Sequence, residues 1–257
     1  MIESIGFIHY PGMRSRAFLG TLLDMGVHVS TVIEMVAEIP NLAAIREEAR
    51  RYGYDKTYFD TGMDLESFFE RSSGTQRIPT LSTSINDPAI AQALDGCGEE
   101  IWIFSGGGIL KPHLFKPGRH LLHVHPGRIP EFRGSTCFYY SLLARRELVS
   151  TCFLLEPKLD AGQILFEASF SHNLLIRPDQ SYFMDAILDP WMRATALRGA
   201  LSRPLPEARE GSTEEEDGNA YFVAHPFLRH LAIERMNARF RPSNPEGVFS
   251  IEDRGQP

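Results

Sequence analysis

Residues 121–135 read Leu-Leu-His-Val-His-Pro-Gly-Arg-Ile-Pro-Glu-Phe-Arg-Gly-Ser, an apolar run that ends in two histidines and then enters a loop with proline and glycine. Residues i and i+2 of a β-strand point to the same side. If residues 121–125 are extended, His123 and His125 therefore leave the strand on one face, near its C-terminal end. Open α/β sheets bind their ligands at this end of the strands. The stretch predicts a buried strand that brings two imidazoles to a ligand site.

A carboxylate on a second turn completes a simple acid/base arrangement. Asp160 lies in the sequence Leu-Asp-Ala-Gly, directly before another apolar run at residues 163–170. An imidazole titrates near neutral pH, and a carboxylate beside it can stabilise its charged form. A histidine and a carboxylate are therefore sufficient for a positioned general acid or base. This makes His125 and Asp160 candidate catalytic residues.

The two segments together resemble the folate-dependent formyltransferase family, which includes glycinamide ribonucleotide, methionyl-tRNA and sugar-amine formyltransferases. The family signature reads roughly Asn-x-His-Pro-x-x-x-Pro-x-x-Arg-Gly, followed further along the chain by Asp-x-Gly. In this chain, His125-Pro126, Pro130, Arg133-Gly134 and residues 160–162 fall on that pattern in order. The asparagine of the signature is replaced by His123.

The resemblance implies an α/β fold, namely a Rossmann-like formyltransferase fold with a mostly parallel, twisted sheet flanked by helices. It also implies an enzyme that transfers a formyl group from N10-formyltetrahydrofolate to an amine of a small-molecule acceptor. The implied catalytic residues are His125, Asp160 and His123. A neutral imidazole has one N–H donor and an imidazolium has two, so His123 could stabilise an oxyanion or act as a second acid/base group.

A triple glycine follows the apolar run at residues 100–104, in the sequence Ser-Gly-Gly-Gly-Ile-Leu. Glycines allow another molecule to approach the main chain closely, although they also form ordinary strand-to-loop turns. In the resembled family, the equivalent stretch holds the pterin ring of the folate through main-chain groups. The resemblance therefore assigns cofactor binding to Gly106, Gly107, Gly108, Ile109 and Leu110.

The resemblance covers about residues 1–175, which we expect to form the catalytic domain. We expect residues 176–257 to form a smaller extension of helix and loop with a disordered tail. Within this extension, residues 204–217 are polar, acidic and contain prolines, which predicts a loop. The tail is rich in proline, glycine and charge, which is typical of a poorly ordered terminus.

The hydrophobic pattern predicts alternating strands and helices. A strand at residues 4–9, the Pro11-Gly12 turn and a helix capped by Ser15 indicate the start of a βαβ unit. Asp87 followed by proline predicts the start of another helix. Further strands are predicted at residues 27–35, 54–59, 78–84, 100–104, 151–155 and 163–170, and further helices at residues 41–52, 64–71 and 178–198, the last with an interruption at residues 189–190.

Composition and net charge restrict the partners. The 257 residues are 43% hydrophobic and 23% charged, which is ordinary for a globular protein, and the formal charge is −7. A protein that grips a phosphate backbone usually has a basic face, so we expect no nucleic-acid partner. No apolar run reaches the ~18 residues of a membrane helix, so we expect no membrane association.

Cysteine usage indicates the compartment. Cys97, Cys137 and Cys152 are odd in number and lack CxxC spacing, which argues against a disulfide framework and a zinc knuckle. The first residues, Met-Ile-Glu-Ser, lack the basic region of a signal peptide. The identity of the acceptor and the oligomeric state stay open at this stage. We expect a cytoplasmic protein.

Three other functions use the same residues. His-x-His at a strand end is a metal-ligand arrangement, and Asp160 could complete a three-ligand site with water in the fourth position, as in a metal-dependent hydrolase. A formyl-folate hydrolase would use the same acid/base pair with water as the acceptor. The third alternative is a catalytically silent binding module, in which the replacement of the asparagine by His123 would mark the loss of activity. The loop after His125 fits the formyltransferase pattern, so we expect the folate-dependent transferase without a metal.

Overall fold

The computed structural model describes residues 5–204, 219–241 and 249–253 of the 257-residue chain. Strands and helices alternate along these ranges. The strands are β1 Ile5–His9, β2 Val29–Glu34, β3 Gln76–Pro79, β4 Ile101–Phe104, β5 His120–His125, β6 Phe132–Gly134, β7 Leu148–Leu154, β8 Ile164–His172, β9 Asn219–Tyr221 and β10 Phe249–Asp253. The α-helices are α1 Met13–Asp24, α2 Leu42–Arg51, α3 Leu65–Arg71, α4 Pro88–Asp95, α5 Cys137–Ala144, α6 Asp189–Leu201 and α7 Pro226–Asn237. Among the helices of these ranges, none has the length and hydropathy of a membrane span.

Eight strands form one mixed sheet in the order β10-β8-β7-β5-β4-β1-β2-β3. β3, β2, β1, β4 and β5 run parallel to one another, whereas β7, β8 and β10 are antiparallel to their neighbours. β6 and β9 form a separate parallel pair outside this sheet. The predicted Rossmann-like α/β fold with a mostly parallel sheet and flanking helices is confirmed.

Successive side chains of the central strands enter two hydrophobic clusters, one on each face of the sheet. Phe7 and Val32 belong to the cluster that includes residues of α1 and α6, whereas their neighbours Ile8 and Ile33 belong to the cluster that includes α4. Alternate residues of a strand point to opposite faces, so a strand with helices on both faces needs apolar residues throughout. This explains why the strands are continuous apolar runs in the sequence.

The strand order reverses between β1 and β4, where open α/β sheets bind ligands at the C-terminal strand ends. The loops that follow these two strands are tied together. The Tyr10 N–H donates to Ser105 Oγ over 2.9 Å, and the Ser15 hydroxyl donates to the Tyr10 carbonyl over 2.8 Å. The prediction that Ser15 caps α1 is wrong, because the helix begins at Met13 and the Ser15 hydroxyl bonds within this turn.

Most predicted elements are present with shifted bounds. Asp87 Oδ1 accepts a hydrogen bond from the Ala89 N–H over 2.9 Å, which confirms the predicted start of α4. The expected interruption at residues 189–190 marks the change from a π-helical segment, Phe183–Leu188, to α6, whose first turn contains a proline. The predicted strands at residues 4–9, 27–35, 100–104, 151–155 and 163–170 and the predicted helices at residues 41–52 and 64–71 correspond to β1, β2, β4, β7, β8, α2 and α3.

Two predicted strands differ from the structure. The edge strand predicted at residues 54–59 is a turn that contains one isolated bridge. Its aromatic residues belong to a cluster of rings, in which Tyr54 and Tyr58 both pack against Phe183. The strand predicted at residues 78–84 is displaced, since β3 begins earlier and ends at a proline, whose nitrogen has no hydrogen to donate to a continuing ladder.

The described residues beyond 175 share the sheet and the core with the rest of the chain. α6 packs against α1, β7 and β8, and β10 pairs with β8. β10 lies within the predicted tail, and the remainder of that tail lies outside the described residues, as does the predicted loop at residues 204–217 apart from Pro204. The division into a catalytic domain at residues 1–175 and an extension at residues 176–257 stays a prediction.

A glycine where β1 meets β4 offers a test of the core. A Cβ atom at Gly6 would lie 2.4 Å from the ring of Trp102, so we expect Gly6→Ala to lower the free energy of unfolding by ~1–3 kcal/mol, the usual cost of overpacking. Gly20 in α1 is the matched control, because nothing lies within 4 Å of its Cβ position. Gly20→Ala should stabilise the helix by up to ~1 kcal/mol. Urea denaturation of both variants measures the difference, and a Gly6→Ala protein as stable as the parent would contradict this contact.

Candidate active site

β5 brings the two histidines to the strand-order reversal, where the sequence pattern predicts them. His123 and His125 are 7% and 1% exposed and, being two residues apart on a strand, lie on the same face. β4 pairs with β5 only as far as Leu122, whereas β7 pairs with it through His125. The end of β5 therefore has a neighbouring strand on one edge only, beside the loops that follow β1 and β4.

His125 is held between a main-chain carbonyl and a carboxylate. Its Nε2 lies 2.8 Å from the Phe132 carbonyl oxygen, and its Nδ1 lies 3.5 Å from Asp160 Oδ2. A carbonyl can only accept, so Nε2 carries the hydrogen and Nδ1 is the basic nitrogen of the neutral ring. Burial lowers the pKa of His125 to about 4, although the Asp160 carboxylate acts in the opposite direction. At neutral pH, His125 is therefore a base that faces Asp160.

Asp160 stands on a tight turn after β7 that only glycine can complete. Asp160 has a φ of 41°, and Gly162 has a φ of 142°. A Cβ atom at Gly162 would lie 1.7 Å from the Leu154 carbonyl oxygen, because the chain turns back here against the end of β7. The Asp-Ala-Gly sequence thus has a local physical reason: the turn sets the carboxylate at the strand end, and the glycine allows the chain to return.

The short strand β6 holds both candidate catalytic groups. The carbonyl of Phe132 accepts from His125, and the N–H of Gly134 donates to Asp160 Oδ2 over 2.6 Å. β6 in turn pairs with β9, and a Cβ atom at Gly134 would lie 2.1 Å from the Tyr221 carbonyl oxygen. The β6–β9 pair therefore sets the separation of the His125 and Asp160 side chains.

His123 differs from His125 in the partner of its N–H group. Its Nδ1 lies 3.1 Å from the carbonyl oxygen of Phe104 at the end of β4, so Nδ1 carries the hydrogen in the neutral ring. Burial, with Arg14 and Arg193 nearby, holds the pKa of His123 well below its ordinary value. The neutral ring then presents Nε2 as an acceptor only. This geometry does not support His123 as an oxyanion donor, and its catalytic role stays a prediction.

A pocket of about 560 Å³ opens beside these groups. Its polar lining includes both histidines, Asp160, two arginines and two further carboxylates, and its apolar lining comes from several separate segments. The lining residues include Arg14, Gly107, Gly108, Ile109, Leu110, His123, His125, Asp160, Asp185, Asp189, Arg193, Ala220, Tyr221, Phe222 and Val223.

The glycine loop after β4 divides into a packed part and an open part. Gly106 is absent from the pocket lining, because the ring of Phe104 lies 2.5 Å from where its Cβ atom would be. Nothing lies within 4 Å of the Cβ position of Gly107, and Gly108 has a φ of +105°. Of the five residues assigned to cofactor binding, Gly107, Gly108, Ile109 and Leu110 line the pocket. Gly106 packs against the Phe104 ring outside the lining.

Arg14 is a partly buried cation on the pocket wall. Its Nη1 donates to the carbonyl oxygens of Ser105 and Gly106 over 3.3 and 2.5 Å, and its Nε has no hydrogen-bond partner among the described residues. Burial and the nearby Arg193 lower the pKa of Arg14 to about 9, although Asp189 opposes this shift. Arg14 therefore remains predominantly protonated at neutral pH and holds the glycine loop by its carbonyl groups.

The sequence pattern missed two groups of pocket residues. Asp189 and Arg193 are buried and lie one turn apart on α6. The sequence does contain a signal for this pair, because an acidic and a basic residue four positions apart interrupt the apolar face of a buried helix. Residues 220–223 carry no local signal, since a short segment after a polar stretch reaches the pocket only through its pairing with β6.

Among the described residues, His123, His125 and Asp160 are not grouped as a set of metal ligands. Within the described ranges, no group of three His, Cys, Asp or Glu side chains could hold a metal ion. The metal-dependent hydrolase that uses His123, His125 and Asp160 is not supported by this geometry.

No protein-family model matches this sequence, and no curated protein matches it. A sugar N-formyltransferase from Shewanella is 12% identical with a TM-score of 0.51, and the match covers 98% of this chain and 96% of that one. Glycinamide ribonucleotide transformylase 1 from Symbiobacterium toebii is 19% identical with a TM-score of 0.49, over 79% of this chain and 90% of that one. A formyltetrahydrofolate deformylase from Pseudomonas syringae is 15% identical with a TM-score of 0.49, over 78% and 60%.

The likeness shows the fold. The match to the Shewanella structure extends over nearly the whole of both chains, so this protein has the fold of a solved formyltransferase. One fold supports many reactions, and function has to be argued from the groups in the site.

The contact between β6 and β9 can be tested at Gly134. Its φ is +104°, and its Cβ position meets the Tyr221 carbonyl oxygen, so Gly134→Ala should displace β6 and with it His125 and Asp160. A misplacement of ~1 Å costs roughly 10²-fold in rate, and we expect kcat to fall by about that factor. Gly118→Ala is the control, because Gly118 also has a positive φ of +77° but nothing within 4 Å. Equal activity in the two variants would show that β6 does not set the geometry.

Proposed function

We propose that this protein transfers a formyl group from N10-formyltetrahydrofolate to the amine of a small-molecule acceptor. The observation that carries the proposal is the pair of His125 and Asp160, whose Nδ1 and Oδ2 atoms lie 3.5 Å apart on the wall of a pocket with an open glycine loop. A histidine and a carboxylate can serve several reactions. The fold shared with a sugar N-formyltransferase supports formyl transfer among them.

Formyl transfer requires a group that takes up a proton and returns it. The amine nitrogen attacks the formyl carbon, and the carbonyl oxygen becomes an oxyanion in a tetrahedral intermediate. The attacking nitrogen then loses a proton, and the folate nitrogen gains one as its bond to carbon breaks. Neutral His125 accepts the proton at Nδ1, and Asp160 stabilises the resulting imidazolium. Delivery of that proton to the leaving folate nitrogen restores the neutral ring.

The oxyanion needs positive charge in the pocket. His123 has no hydrogen to give as a neutral ring, because its one N–H group bonds to Phe104. Arg14 lines the pocket and is partly buried. A fixed charge in a buried site acts on developing charge more strongly than it would in water. We therefore assign oxyanion stabilisation to the guanidinium group of Arg14, whose Nε has no hydrogen-bond partner among the described residues.

The open part of the glycine loop favours a formyl donor that has a planar ring. Gly107 has empty space beside its main chain, and the backbone at Gly108 has a conformation that L side chains rarely adopt. A planar ring can therefore approach the main chain, which carries the donors and acceptors that a pterin requires. The apolar side chains of Ile109 and Leu110 flank this surface. These features fit the pterin end of the formyl donor.

The carboxylates of the pocket support an amine as the acceptor. Asp160, Asp185 and Asp189 all line it, and an amine arrives in water mainly as an ammonium ion, which carboxylates attract. The formal charge of −7 disfavours a nucleic-acid acceptor. Because a solved structure with this fold is a sugar N-formyltransferase, amino sugars are the first acceptors to assay.

The three cysteines are unpaired, which supports the expected cytoplasmic location.

The test measures both products of the donor. Purified protein is mixed with N10-formyltetrahydrofolate and a panel of amino sugars, amino acids and other small amines, and tetrahydrofolate, formylated amine and formate are quantified. Formylated amine that appears with tetrahydrofolate in equal amounts supports transfer. Formate released at the same rate without any amine would replace the proposal by a formyl-folate hydrolase. Loss of activity with a chelator would contradict the mechanism that uses His125 and Asp160 alone.

The role of His125 as the base predicts both a loss of rate and a pH dependence. His125→Ala should lower kcat by ~10²–10⁴-fold, the usual contribution of a positioned acid or base, while donor affinity measured by calorimetry stays unchanged. Because burial lowers the pKa of His125 to about 4, the ring is protonated and inactive only below that pH. In the parent, kcat/KM should fall as the pH drops through about 4. A fall centred near 6.5 would contradict a lowered pKa of His125 as the cause of the acid limb.

The carboxylate of Asp160 should act through its charge. Asp160→Asn keeps an oxygen that can accept from the Gly134 N–H but removes the charge that stabilises the imidazolium. We expect kcat at neutral pH to fall while the melting temperature stays close to that of the parent. The acid limb of kcat/KM should also move to lower pH, because Asp160 raises the pKa of His125. A large drop in melting temperature with a proportionate loss of rate would identify Asp160 as a structural turn residue instead.

A further inference from the structure

α6 carries a buried ion pair that reaches the main chain of β5. Arg193 Nη1 donates to the Val124 carbonyl oxygen over 2.6 Å, and Arg193 Nε donates to Asp189 Oδ1 over 2.8 Å. The side chains of Arg193 and Asp189 are 7% and 10% exposed. Val124 stands between His123 and His125. The guanidinium group thus bonds to the residue that separates the two histidines, on the part of β5 that extends beyond its pairing with β4.

Stability alone does not explain this pair. Desolvation of two buried charges costs several kcal/mol, and replacement of such a pair by apolar residues is often neutral or stabilising. The neighbours of Arg193 on α6, such as Met192 and Leu197, are buried apolar residues of the core. An apolar residue at position 193 would satisfy the packing, but it could not bond to the Val124 carbonyl or place a charge beside His125.

We propose that Arg193, braced by Asp189, is a positioning residue that fixes the end of β5 and thereby sets the orientation and the protonation state of His125. The part of the proposal that concerns catalytic rate rests on the proposed formyl transfer. The part that concerns the ring of His125 does not, because its tautomer and its titration can be measured without any substrate.

The charges around His125 act in opposite directions. Asp160 and Asp189 favour the imidazolium, and Arg193 disfavours it in addition to the larger effect of burial. Removal of Arg193 should therefore raise the pKa of His125, and removal of the Asp189 charge should lower it. The titratable and charged groups that face His125 are Asp160 from the turn after β7, Asp189 and Arg193 from α6, His123 on β5 itself, and Cys137 from α5, a thiol whose pKa is raised to about 12 by burial and which is therefore neutral.

Four variants of the full chain test the proposal. Arg193→Met removes the charge and the bond to Val124, and Asp189→Asn removes only the opposing charge. Arg193→Met combined with Asp189→Leu removes both charges of the pair, so neither partner is left buried without the other, and we expect it to fold even if the single variants do not. Arg235→Met is the matched control, because Arg235 also donates to a main-chain carbonyl, that of Leu143, but on the exposed side of α7. Two-dimensional proton–nitrogen NMR of the histidine rings, with His125 assigned from His125→Ala, reports its tautomer and pKa.

Arg193→Met should raise the midpoint of the His125 titration, and Asp189→Asn should lower it. The double variant should keep the melting temperature of the parent, yet show a mixture of Nδ1–H and Nε2–H tautomers and lose about 10²-fold in kcat with little change in KM, as expected for a misplaced base. Arg235→Met should match the parent in every measurement.

A double variant with the parent's tautomer, His125 titration and kcat would overturn the proposal and leave Arg193 as a packing residue. If the parent transfers no formyl group at all, the proposed function fails, while the NMR measurements still decide whether Arg193 positions His125. A kcat loss in the double variant without any change at the His125 ring would also overturn the proposal, because Arg193 would then act on the substrate directly.

Discussion

Two hydrogen bonds from the short strand β6 hold the site together. The Phe132 carbonyl accepts from His125, and the Gly134 N–H donates to Asp160, so one main-chain segment sets the separation of side chains that come from two different strand ends. Because a carbonyl cannot donate, the same contact determines which nitrogen of His125 is basic. β6 pairs with β9, from the chain beyond residue 175, and the site is therefore complete only after that part of the chain has paired with β6.

Burial determines the charges that the site can use. His123 and His125 are neutral because an imidazolium loses its hydration in the core, and the nearby guanidinium groups add to this effect. An exposed histidine would be partly protonated near neutral pH, whereas a buried one is a base over the whole physiological range. The carboxylate of Asp160 then matters most when the ring is charged, which in the proposed reaction occurs only after proton transfer from the acceptor.

Most of the fold could be predicted because central strands with helices on both faces are short, continuous apolar runs. The exceptions have a common physical reason. At residues 54–59, the aromatic residues signal burial correctly, but their rings fill a cluster around Phe183 from a turn instead of from a strand. A hydrophobic pattern reports that a side chain is buried, and the surroundings decide which backbone conformation carries it. Ser15 shows the same limit, since its hydroxyl bonds to a turn that the sequence does not reveal.

The sequence by itself determined the parts of the site that follow from local geometry. The alternation of a strand sets His123 and His125 on one face, and the positive φ of Gly162 favours glycine in the turn at residues 160–162. Only the tertiary structure decided which nitrogen of each ring is basic, that Arg193 bonds to the end of β5, and that residues 220–223 close the pocket. These properties depend on desolvation and on contacts between segments far apart in the chain, and neither is encoded in the spacing of neighbouring residues.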